Sequence, residues 1–135
     1  MTPDGALELT DDEFAVLDYL YEIAWDDESL PALRPLAGED PDRVARLRAA
    51  VTSLFEDELV EILGTRDFQP EPRSLERVEA AHALRDDANW ALPGEPLFDG
   101  TTEYYVVRSG RRTELAYERA LSVPGRTHRC DRTLG

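Results

Sequence analysis

Between Asp40 and Gly64 the apolar residues change from a helical period to a β-prone run with almost no intervening loop. Asp40 followed by Pro41 is a good pair for a helix cap and first helical position. Val44, Leu47, Val51, Leu54 and Phe55 then form one apolar stripe that ends near Asp57. Directly afterwards, Leu59-Val60-Glu61-Ile62-Leu63 has the character of a short strand, closed by Gly64. A chain that contains this join is committed to a mixed fold of helix and strand.

The flanking segments extend the pattern. Thr10-Asp11-Asp12-Glu13 is a capping box, because the Thr10 hydroxyl can accept from the Glu13 amide while the Glu13 carboxylate reaches back to the Thr10 amide. Phe14, Leu17, Leu20, Tyr21, Ala24 and Trp25 follow at helical spacing until Asp26-Asp27-Glu28, an acidic run that disfavours a helix C-terminus. Pro31 and Pro35 restrict the next element to something short or irregular. Residues Thr65 to Arg73 read as a loop. Ser74 is placed to cap a helix from Leu75 to about Ala88, with Trp90 anchoring its end. Thr102 to Arg108 is the best strand of the chain, and Arg111 to Leu121 a final helix with Leu115, Glu118 and Arg119 at helical spacing.

Helix, broken element, helix, strand, insertion, strand, helix is the order of a winged helix-turn-helix domain. Val51 to Ile62 resembles the end of a recognition helix entering the first wing strand, with Glu58 where that superfamily has Gly. Tyr105-Val106-Val107-Arg108-Ser109-Gly110-Arg111 resembles the last wing strand and a capped terminal helix. Small uncharacterised bacterial proteins of this type are similar in carrying a Pro-rich loop, an Ala/Leu-rich helix and a Trp before the final strand. Pro72 to Leu75, Ala80 to Leu84 and Asp87 to Trp90 stand in those places here. The resemblance implies an α+β fold, with a winged-helix-like three-helix core, a small antiparallel β-wing carrying a helical insertion, and a C-terminal helix. The implied organisation is an arm over 1–9, the domain over 10–123 with its wing insertion at about 65–101, and a flexible basic tail over 124–135. It transfers no activity.

Charge restricts the partners. The chain has 29 acidic and 15 basic residues, a formal net charge of -14, and every basic residue is Arg. Residues 1–64 hold 17 acids against 4 arginines, whereas residues 102–135 hold 4 acids against 7. A Lys-free composition also fits a GC-rich genome or a high-salt cytoplasm, which would account for part of the acidity without function. No apolar run is long enough for a membrane span, the start lacks the pattern of a signal peptide, and one cysteine, Cys130, forms no internal disulfide. A cytoplasmic location is expected.

Candidate sites follow from the same residues. Asp26, Asp27, Glu28, Glu56, Asp57 and Glu58, with Trp25, are candidates for contact with a basic protein; their spacing is not that of a calcium loop, and a solvated surface is their simpler role. Arg43, Arg46 and Arg48 are the alternative, a set of DNA contacts on the helix from Pro41 to Asp57. Asp40 and Asp42 beside them repel phosphate. Glu79 and His82 share the spacing of a di-iron motif but lack the second motif that such a centre needs, so His82 reads as a partly buried histidine. His128 and Cys130 have no rigid element to hold them, and no phosphate loop or catalytic triad can be assembled. No cofactor, metal or enzymatic role is expected. Tyr19, Tyr21, Trp25, Trp90, Tyr104 and Tyr105 are more aromatic surface than a small core needs, so core packing is expected for most of them and an interface, with a partner or a second copy, for some. The reading is therefore a non-enzymatic acidic module of immunity, inhibitor or DNA-mimic type, with a DNA-binding regulator as its alternative.

Overall fold

A computed structural model describes residues 9–22, 27–38, 40–66, 73–91, 94–96 and 102–122. The elements are α1 (Asp11–Glu22), β1 (Asp27–Ser29), a 3-10 turn (Pro31–Leu36), α2 (Pro41–Glu56), β2 (Val60–Arg66), β3 (Arg73–Ser74), α3 (Arg77–Arg85), a second 3-10 turn (Asp87–Trp90), β4 (Thr102–Arg108) and α4 (Arg111–Leu121). The strands form one antiparallel sheet in the order β1-β4-β2-β3, with Ile62 opposite Val106 and Glu28 opposite Val106 on the other side. The fold is α+β.

The capping box forms as expected. Thr10 N donates to Glu13 Oε1 at 3.0 Å and Glu13 N to Thr10 Oγ1 at 3.1 Å. The same carboxylate is buried and accepts from Ser53 Oγ at 3.1 Å, so the cap of α1 also fixes its distance from α2. At the start of α2, Asp40 accepts from the Asp42 amide at 2.9 Å and Pro41 occupies the first turn, where its missing amide costs nothing. Phe14, Leu17 and Leu20 of α1, Leu30, Leu33 and Leu36 around the 3-10 turn, and Leu47, Val51 and Leu54 of α2 meet Ile62 and Val106 in a single apolar cluster.

Four local expectations need correction. Asp27-Glu28-Ser29 is a strand, because pairing with the strongly β-prone β4 supplies hydrogen bonds that its own composition would not predict. β2 continues through Gly64 to Arg66; a Cβ on Gly64 would lie 3.2 Å from the Leu75 and Tyr104 side chains, so glycine admits two close neighbours there instead of ending the strand. Ser74 lies in β3, and α3 starts from Glu76 without a side-chain cap and is shorter than expected. The buried stripe of α4 is Thr113, Ala116, Tyr117 and Ala120, leaving Leu115 at 42% exposure.

Residues 73–91, within the expected insertion, are not an appendage. Ala80, Leu84 and Trp90 belong to the main core, and the Trp90 indole N–H donates to the Leu84 carbonyl at 2.9 Å. Of the other aromatics, Tyr19, Tyr21 and Tyr104 pack against that core and Tyr105 is half-buried, whereas Trp25 lies outside the described residues. So do residues 1–8, residues 67–72 and the segment from 123 onward, which includes His128, Cys130 and the other residues of the expected basic tail.

Tyr117 joins α4 to α1. Its ring stacks on Tyr21 at 4.5 Å and Phe14 at 5.7 Å, and its hydroxyl donates to the fully buried Asp18 carboxylate at 2.5 Å. Removing only that hydroxyl leaves Asp18 short of a donor in a water-poor site. Tyr117→Phe should therefore lower unfolding stability by about 1–3 kcal/mol in urea denaturation, although the ring volume is unchanged.

Candidate functional site

The acidic turn at the end of α2 has a defined geometry. Leu59 N donates to Leu54 O at 2.9 Å and Glu58 N to Phe55 O at 3.0 Å, the paired bonds of a Schellman helix stop. That stop needs a left-handed residue, and Glu58 supplies it with φ 62°, where glycine would carry no Cβ penalty. Leu54 and Leu59 are both buried and close the apolar contact that accompanies such a turn. The result places Glu56, Asp57 and Glu58 at successive directions around one helix end, with Glu56 and Glu58 exposed.

Electrostatics at this end is unfavourable to all three carboxylates. They sit at the negative pole of α2, which has no basic residue in its last turn. Desolvation, and then the nearby Glu13 carboxylate, push the Asp57 pKa above its ordinary value of 3.8, while Arg112 pulls the other way. Arg112 also approaches Glu58 at 3.9 Å, a loose contact with Glu58 79% exposed. The involvement of Glu13 was not legible in the sequence, where its capping role was the visible one.

The three arginines of α2 are engaged within the protein. Arg46 grips Asp12 of α1 through two bonds, of 2.6 and 3.0 Å, and these raise its pKa further. Arg48 bonds Asp87 and the Leu84 and Arg85 carbonyls, with its guanidinium 5.9 Å from the Trp90 ring centre. Arg43 lies 4.0 Å from Asp40. The outward ridge of α2, at positions 42, 45, 49, 52 and 56, instead carries Asp, Ala, Ala, Thr and Glu. The sequence placed these arginines on α2 correctly; it did not reveal that α1 and the insertion would hold Arg46 and Arg48 by the flanks.

The remaining candidates divide simply. Asp27 and Glu28 stand on the edge strand β1, although their side chains are outside the described residues, as is Asp26. His82 is exposed, not partly buried, because it falls on the outer side of α3 opposite Ala80, Ala83 and Leu84. Among the described residues no group of three or more His, Cys, Asp or Glu side chains could hold a metal ion, and no helix is long and apolar enough to cross a membrane. Comparison with protein-family models, curated proteins and solved structures finds no match to this chain.

Two substitutions test the geometry of the turn. Glu58→Gly removes the Cβ from a left-handed position and should raise unfolding stability by about 1 kcal/mol in a denaturant titration. Asp57→Asn tests the charge. The fold favours the neutral carboxyl, so Asp57 opposes stability above its raised pKa and no longer does so below 3.8. The variant should melt at a higher temperature than the parent at pH 7, and the gap should close as pH falls through the raised pKa.

Proposed function

We infer that this chain is a winged-helix-like, non-enzymatic module that binds a basic protein, in the manner of an immunity protein, an inhibitor or a DNA mimic. The sheet order supports the fold part of that reading. With the wing insertion set aside, α1, β1, the 3-10 turn, α2, β2 and β4 follow the order of a winged helix, and the strand from the far side of the wing, β4, lies between β1 and β2. α2 then corresponds to the recognition helix, and β3, α3 and the second 3-10 turn to the elaborated wing.

One observation carries the functional part. The helix that would enter a DNA groove presents Asp42 and Glu56 outward, while Arg46 and Arg48 are bonded to Asp12 and Asp87 of the same chain and Arg43 lies 4.0 Å from Asp40. Most contacts of a DNA reader go to phosphate, which these carboxylates repel. The same surface attracts a cationic protein. Carboxylates on α2 and its C-terminal turn would steer such a partner and speed its encounter, with less influence on how long it stays.

The test is association kinetics with a partner captured from native extract. Its on-rate should fall on the order of tenfold or more as salt rises from low to physiological levels, and an Asp42→Arg, Glu56→Arg double variant should slow association with a smaller change in dissociation. Failure to capture any stable partner, or a captured partner whose on-rate ignores salt, refutes the reading. Tight binding to duplex DNA that is lost on Arg43→Glu and Arg46→Glu would replace it with a transcriptional regulator.

A further inference from the structure

A cavity of about 380 Å³ opens beside the acidic turn, between the end of α2, β2 and the start of α3. Its apolar wall is Phe55, Val60 and Leu75, and Glu58 and Glu61 stand on it as carboxylates. Val60 is buried, Phe55 and Leu75 are half-buried, and both glutamates are exposed. The wall comes from three elements, so it is set by tertiary packing and not by the acidic run alone.

The two glutamates have weak partners. Glu58 has Arg112 at 3.9 Å, and Glu61 accepts from Ser74 Oγ at 3.4 Å. Arg77, the cation on the cavity wall, donates instead to the Glu56 carbonyl at 3.4 Å. The cleft beside Trp90 differs in this respect, because its cations Arg34 and Arg48 are already bonded to Glu95 and Asp87. An apolar wall beside two incompletely paired carboxylates fits one kind of side chain. That is a long aliphatic stem with a cationic head, and a guanidinium can bond two carboxylates in its plane while its face rests on an aromatic ring.

We propose that this cavity is the anchor site for an arginine side chain of the basic partner, its stem against Phe55, Val60 and Leu75 and its head between Glu58 and Glu61. The proposal rests on the reading of the chain as a binder of basic protein, and it specifies what that binder recognises. Charge on the α2 ridge brings the partner in, and the cavity supplies the desolvated contact at which most binding energy concentrates.

The probe is N-acetyl-arginine amide, titrated into the 15N-labelled full chain and followed by amide shifts, with the uncharged N-acetyl-citrulline amide as its match in shape. Saturable shifts at Glu58, Glu61, Ser74, Leu75 and Ser109, weaker on the order of tenfold or more for citrulline, are expected. Leu75→Trp should fill the cavity and abolish them without altering charge, and Glu58→Gln with Glu61→Gln should abolish them through exposed positions that the core does not need. Shifts that never saturate, that match for the two amides, or that survive the paired Gln variant overturn the proposal. A salt-steered partner whose capture is unaffected by Leu75→Trp and by the paired Gln variant sinks the cavity alone. Cavity-localised arginine binding in a protein that captures no partner sinks the parent reading and leaves the cavity standing.

Discussion

Leu59 is the residue at which four elements are tied. Its amide closes the stop of α2 on Leu54, its side chain is fully buried, and it immediately precedes β2. Its carbonyl accepts from the Ser109 amide at the end of β4 and from the buried Thr113 hydroxyl in the first turns of α4. The stop of α2, the start of β2, the end of β4 and the first turns of α4 thus meet at one residue. Glu58 must take a left-handed conformation for that residue to be in place, so the strained glutamate and the order of the surrounding fold have a single cause.

The distribution of charge follows from how the arginines are spent. Arg34, Arg46 and Arg48 join elements far apart in sequence, reaching Glu95, Asp12 and Asp87. Each such pair consumes one of the few cations in the acidic part of the chain. Because exposed ion pairs contribute little stability, their main effect here is geometric: they fix α1 and the insertion on either flank of α2. Asp42 and Glu56 on the outward ridge of α2 and Glu58 in its C-terminal turn are exposed carboxylates, and the cavity at Phe55 and Leu75 opens beside that turn.

Legibility in the sequence tracked whether the cause was local. The Thr10–Glu13 box, the Asp40–Pro41 start and the β-branched and aromatic run of β4 are short-range signals, and each was realised. β1 was illegible because three polar residues become a strand only when β4 offers an edge. Gly64 looked like punctuation because its reason, close contact with Leu75 and Tyr104, is tertiary. Of the candidate site, the acidic turn could be located from Glu56-Asp57-Glu58, and even the missing glycine was visible. The cavity could not, because Leu75 and Arg77 reach it through a chain reversal that no spacing encodes.

The sheet has a property that comes from its two ends. One edge is β1, whose three residues include two carboxylic acids, and the other is β3, only two residues long. Open backbone on a sheet edge is a template for another strand, and short, charged edges are how such templates are blunted. For a copy of this chain, whose net charge of -14 already opposes close approach, β3 offers too little backbone to pair with. The acidity that would draw in a cationic partner would therefore also keep the protein from growing into fibres of itself.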